Sequence, residues 1–342
     1  MAFVTLAGMR SDGQVALTSL GEDRLILCYT DSEHRIREMF YNHGQWSGGQ
    51  ADKAVVHGDR RSPLAMLTIK LTPDVRGIRT YYMIGDHVKE TCCDGTPDQF
   101  AEGRREWFDG ALTMSRVQAP SSSKLASVIG RLHESGDGPG AEGTGRLQHL
   151  VVYQDTSLGL QAQVKVERGE WNAGGRLPVP PSTHVVDGTG LAAVWKNGAA
   201  HVYFQCDDGF VYEASRTDGA WSLSKPLFKA KVGTPMAAVI PSSGTIHVFH
   251  ANDANVLSFA YKSSQGWGVD VGNLAWTVLE DSSLAVGVVL RQGHREDFEI
   301  FYARESDGLS WKAVSPDMRS LFGEAPNPQF VNYAREYLPV RR

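Results

Sequence analysis

LAAVWKNGAAHVYFQCDDGFVYEASRTDGAW, residues 191–221, is the stretch from which the fold can be read. It opens with an apolar run holding two alanines (Leu191, Ala192, Ala193, Val194), passes a polar turn and continues as an alternating segment from His201 to Gln205. Asp207-Asp208-Gly209 makes a tight turn, a third segment runs from Phe210 to Ser215, and a second turn leads to Trp221. Period-two alternation broken by Asp/Gly turns predicts three short strands in an antiparallel meander.

Sliding this unit along the chain finds it six times. One marker is the tryptophan after the third strand: Trp46, Trp107, Trp171, Trp221, Trp267 and Trp311, at spacings of 61, 64, 50, 46 and 44 residues. A second is the apolar-Ala pair opening each unit: Val15-Ala16, Leu64-Ala65, Leu125-Ala126, Leu191-Ala192, Met236-Ala237 and Leu284-Ala285. Two independent markers keep one count and one phase. A three- or four-stranded sheet cannot bury both faces alone, and six arranged radially make a β-propeller. Alanines suit the innermost strands, where six strands converge on one axis. Separate small domains would need linkers, and none divides the copies.

The expected fold is therefore all-β: one six-bladed propeller over residues 1–342, with blades at about 15–60, 61–120, 121–182, 183–232, 233–280 and 281–316. A strand at residues 3–7 is expected to complete the last blade and close the ring, because closure removes exposed sheet edges. Residues 133–145, HESGDGPGAEGTG, read as a surface loop. The tail at 317–342 carries Phe330, Tyr333, Tyr337 and Leu338 and is expected to pack on the ring.

Charged residues make up 21% of the chain and the net charge is -5, with no basic run to mark nucleic acid or an anionic membrane. Cys28, Cys92, Cys93 and Cys206 have no metal-ligand spacing, so free thiols and a reducing compartment are expected. The first residues lack the pattern of a signal peptide and no apolar run reaches a membrane span of roughly 20 residues. A cytoplasmic protein is the expectation. No phosphate loop, metal-ligand cluster or serine-triad signature stands out, and no cofactor or metal is expected.

The repeat LAAVWKNGAAHVYFQCDDGFVYEA resembles that of the fungal fucose-specific lectins, six-bladed propellers with sugar sites between neighbouring blades. The resemblance spans roughly residues 15–315. It implies an Arg on the second strand and a Glu on the third that bind sugar hydroxyls, and an aromatic ring that covers the sugar's C–H face. Unit two keeps both, as Arg79 and Glu90. Unit one has Ile26 and Glu38, unit three Leu150 and Ala162, unit four His201 and Glu213, unit five His247 and Phe259, and unit six has Glu299 at the Arg position.

One intact pair in six suggests a lectin scaffold put to another use. The chain is also similar to the lectin-like propellers that act as hetero-Diels–Alderases in fungal tropolone–sesquiterpenoid biosynthesis. That likeness implies a cofactor-independent cycloaddition of a tropolone-derived quinone methide to a sesquiterpene, driven by positioning and assisted by one proton donor. His201, His247, Glu213 and His87 are the candidate acid/base groups, His87 because it precedes Glu90 in the same hairpin. Arg79, Glu90, Tyr81, Tyr203, Trp195 and Trp276 are the candidate binding residues, the two tryptophans because they fall outside the periodic set. The alternative is a fucose-binding lectin with one intact site at Arg79/Glu90. Partners are thus apolar small molecules or a fucosylated glycan.

Overall fold

The computed structural model describes residues 13–49 (save 22), 53–132 (save 104), 145–263, 266–270, 277–279, 282–291, 295–304 and 308–314. The expected strand at 3–7, most of the insertion at 133–145, Trp276 and the tail at 317–342 lie outside them. The described residues form six antiparallel sheets in chain order, each a meander from an inner strand outwards. Sheet four shows the pattern: Ala192–Lys196, Ala199–Gln205, Phe210–Thr217 and Ala220–Leu223. Sheet six has three strands, Leu284–Arg291, Arg295–Arg304 and Gly308–Val314. The molecule is an all-β propeller.

Register shows that the repeat is real. The alanine of each inner strand opens a row of paired residues: Ala16–Cys28–Glu38, Ala65–Tyr81–Glu90, Ala126–Val152–Ala162, Ala192–Tyr203–Glu213, Ala237–Phe249–Phe259 and Ala285–Phe301–Trp311. All six alanines face one axial channel of about 120 Å³, lined by three residues from each unit's inner segment. The sixth sheet meets the first where the Ser283 hydroxyl lies 3.1 Å from both the amide and the carbonyl of Val15.

The tryptophan marker needs one correction. Trp46, Trp171, Trp221 and Trp267 occupy one position, on fourth strands opposite Tyr41, Lys165, Arg216 and Lys262. Trp107 directly precedes Phe108, which pairs with Cys92 on the corresponding edge. Trp311 instead sits on a third strand, opposite Phe301. It matched in sequence spacing because its unit places a tryptophan one strand early.

Blade two also holds elements that period-two reading could not show. Thr96 and Gln99 form a capping box that starts a short helix, Pro97–Ala101, in the segment before the fourth strand. A 3-10 turn, Ala111–Ser115, follows that strand. All four cysteines are free and buried.

Candidate functional site

Strand alternation puts Arg79, Tyr81, Glu90, Cys92 and Asp94 on one face of blade two, turned towards blade three. The corresponding face of blade four carries His201, Tyr203, Glu213 and Ser215, turned towards blade five. Blade three answers with Lys165 and Trp171, and blade five with Lys262 and Trp267. These answering residues lie three positions beyond the Glu row, an odd offset that points them back at the preceding blade. Each seam is thus built from two blades.

In the seam between blades four and five, Glu213 is the hub. Its Oε1 accepts from His201 Nδ1 at 3.0 Å, Ser215 Oγ at 2.9 Å and Lys262 Nζ at 3.1 Å, and its Oε2 accepts from Tyr203 Oη at 3.1 Å and Lys262 Nζ at 3.2 Å. Five contacts saturate a carboxylate with about four lone-pair positions. Burial alone would raise Glu213; hydrogen bonding and charge from His201, then Lys262, outweigh it and bring the carboxyl down to about 2. Burial, then the neighbouring carboxylate, pushes Tyr203 well above the usual phenol range, so it stays a donor. Trp267 meets Tyr203 edge-on at 5.6 Å between centroids.

The seam between blades two and three has the same rows and different bonding. Glu90 is buried; its Oε1 accepts from Tyr81 Oη at 3.1 Å, and its Oε2 from the Leu112 amide at 2.9 Å and Trp171 Nε1 at 3.3 Å. The 3-10 turn lies directly over it, since a Cβ at Gly110 would stand 2.3 Å from Glu90 Cγ. Arg79 turns away from Glu90, with Nη1 donating to Asp94 Oδ1 and the Ile78 carbonyl, both at 2.8 Å. The predicted Arg79/Glu90 pair is therefore in register but not in contact. Arg79 is the member left partly accessible, with 14% of its side chain exposed.

The seam between blades one and two continues the pattern. Glu38 is ion-paired with Arg105, whose guanidinium lies 4.5 Å from the Phe100 ring centroid. Every carboxylate of the Glu row is thus met by a donor from the following blade: Arg105, Trp171 or Lys262.

The remaining candidates are accounted for by packing. His247 is buried, with Nδ1 3.2 Å from the Thr245 carbonyl and its ring 5.3 Å from Phe298 and 5.7 Å from Phe259; burial lowers its pKa. It faces no carboxylate in its row, where Phe259 replaces Glu. His87 does not join Glu90, because three residues along a strand is the opposite face; its Nδ1 lies 2.6 Å from Asp86. Trp195 does not line the axial channel: it covers Gly130, where a Cβ would come within 2.0 Å of its ring, and donates to the Arg131 carbonyl at 3.0 Å. Among the described residues no group of three or more His, Cys, Asp or Glu side chains could hold a metal ion.

Sequence reasoning missed Lys262, Lys165, Arg105, Asp94 and the Leu112 amide. The lysines carried a signal: each lies three residues past the Glu row and five or six before the marker tryptophan.

The family model for fungal fucose-specific lectins matches residues 13–134 and 185–307. The chain belongs to this family. A fucose-specific lectin of Aspergillus oryzae is 35% identical over 95 residues, a stretch that is 27% of this chain and 30% of that relative. The match thus spans less than a third of the relative's length. Among solved structures, the Aleuria aurantia lectin, described as a six-bladed β-propeller with a novel fucose recognition mode, superposes with a TM-score of 0.70 at 21% identity, covering 90% of this chain and 92% of that one. A mutant of that lectin in complex with Fucα1-6GlcNAc gives 0.72 at 21% identity over 91% and 94%. The AofleA protein of Arthrobotrys oligospora gives 0.69 at 19% over 90% and 84%. At these identities the structural likenesses establish the fold.

Proposed function

We propose that the protein is a lectin for fucosylated glycans, and that its saccharide site is the seam between blades two and three. One observation carries this: Arg79 is a partly accessible guanidinium in the row where the family places its arginine, beside Glu90 and the following blade's Trp171. Arg79, held in place by Asp94, supplies directed donors to sugar hydroxyls. Glu90 fixes Tyr81 and Trp171 at the base of the seam rather than meeting the sugar freely. We also propose that the ring has six blades, with residues 3–7 adding the outer strand that sheet six lacks among the described residues.

The cycloaddition reading finds no comparable support. His201 is committed to Glu213 and His247 is enclosed by aromatic rings. The axial channel, at about 120 Å³, falls below the roughly 300 Å³ at which small-molecule pockets begin.

Calorimetric titration with methyl α-L-fucoside tests the proposal. Wild-type protein should bind, and Arg79→Ala should weaken binding about ten- to a hundredfold, the loss of one charged hydrogen-bonding partner of roughly 1.5–3 kcal/mol. Undiminished binding by that variant would remove the site from this seam.

A further inference from the structure

Lys165 and Lys262 occupy the same position in blades three and five, opposite Trp171 and Trp267. Lys262 shows where such a side chain reaches: across the seam, to both oxygens of Glu213. Lys165 has no such partner. Glu90 is covered by the 3-10 turn and already holds Tyr81, the Leu112 amide and Trp171. Asp94 is engaged by Arg79, and Glu167, two residues along the chain from Lys165, accepts from the Leu147 amide at 2.6 Å. Among the described residues, the Lys165 side chain makes no hydrogen bond or ion pair, although the residue is half-buried.

Its charge is nevertheless felt on both walls. Lys165 acts electrostatically on Cys92, which is paired directly with Arg79, and on His149 of its own blade. His149 is buried, and burial first, then Lys165 and Arg79, hold it down to about 4 against the opposing pull of Glu167. At His149 the two cations act together against Glu167, whereas at Cys92 Glu90 and Asp94 oppose them. A half-buried ammonium is stabilised when an anion joins it, and no described protein carboxylate pairs with Lys165.

We propose that this seam recognises an acidic fucosylated glycan, one with a sulfate or carboxylate on the sugar next to fucose, and that Lys165 meets the acid group. This rests on the saccharide-binding function proposed above. Arg79 would hold the fucose from one wall while Lys165 holds the acid from the other, so that acidity becomes part of the specificity.

Three ligands decide it on the full chain: a neutral fucosylated trisaccharide, the same trisaccharide sulfated on the neighbouring sugar, and its sialylated counterpart. At least one acidic ligand should bind about fivefold or more tightly than the neutral one, in the range of a partly buried charge pair. The arm that shows the gain identifies the acid. Lys165→Gln should erase the preference while leaving neutral affinity within about twofold, and Lys165→Arg should retain it. Near-UV circular dichroism on each variant confirms an unchanged fold. Equal binding of neutral and acidic ligands by wild type, or a preference that survives Lys165→Gln, overturns the proposal. Neutral binding without preference defeats only this inference, whereas no binding of any of the three defeats the lectin function with it.

Discussion

The seams between blades two and three and between blades four and five are built from the same rows and finish differently. Each has a tyrosine donating to a glutamate, a lysine and a tryptophan from the following blade, and an edge-on aromatic pair. In the second seam His201, Ser215 and Lys262 fill the carboxylate, and the seam is complete within the protein. In the first, a backbone amide and an indole take the carboxylate instead, which leaves Arg79 partly accessible and Lys165 unspent. Residue identity at a site position therefore says less about ligand binding than the tally of donors already satisfied. Glu213 has the family's residue in the family's row and no lone pair to offer.

The largest expected effect separates these seams by the kind of donor on each carboxylate. Glu213 is held by an ammonium, so Glu213→Gln keeps an acceptor but leaves Lys262 uncompensated. Removing one member of a buried pair costs roughly 3–5 kcal/mol; discounted because 36% of the Lys262 side chain is exposed, about 2 kcal/mol is expected. Glu90 is held by neutral donors, and Glu90→Gln should cost about 1 kcal/mol or less. Urea unfolding compares the two. Equal losses would mean that the seams are energetically the same.

Acid titration should give the next largest effect. The folded pKa of Glu213, about 2, lies below its ordinary 4.5, so its contribution is fully present above pH 4.5 and drains away as pH falls towards 2. His149 and His250 are held to about 4 by burial, against an ordinary 6.5, so their neutral forms favour the native state above pH 6.5 and that contribution is lost as pH falls through 4. Wild type should thus lose stability in two stages, and the lower stage should be smaller in Glu213→Gln, its remainder belonging to Asp31 and Asp155, whose hydrogen bonds outweigh burial and also hold them below the usual carboxylate range. A lower stage undiminished in Glu213→Gln would assign it to those two carboxylates instead.

Much of the fold was legible because a propeller writes its period into the chain. The alanine phase located every inner strand, and the Arg and Glu rows in the sequence are the rows of the structure. Contacts across seams were not legible. Whether Arg79 reaches Glu90 depends on Asp94 two residues past Cys92 and on a 3-10 turn that carries no period-two signal. His87 was misjudged for a simpler reason: nearness along a strand was mistaken for a shared face. Trp195 looked free because Gly130, the gap it fills, belongs to another blade.

The smallest expected effect tests the equivalence of the two lysines. Lys262→Met keeps most of the aliphatic stem that lies near Trp267, with the ammonium 5.9 Å from its ring, and removes only the charge. Glu213 would then retain His201, Ser215 and Tyr203 but lose its one permanent cation, and about 1 kcal/mol of stability should go with it. Lys165→Met removes a charge that pairs with no described carboxylate and relieves its pressure on His149. Its cost should lie within about 0.5 kcal/mol of zero, in either direction. The same two variants can be followed at His149 by NMR titration: Lys165→Met should raise its pKa from about 4, whereas Lys262→Met, a seam away, should not move it. If Lys165→Met costs as much as Lys262→Met and leaves His149 unmoved, Lys165 is paired within the protein in solution, and the seam between blades two and three has no second cation, beyond Arg79, to spare for an acid group.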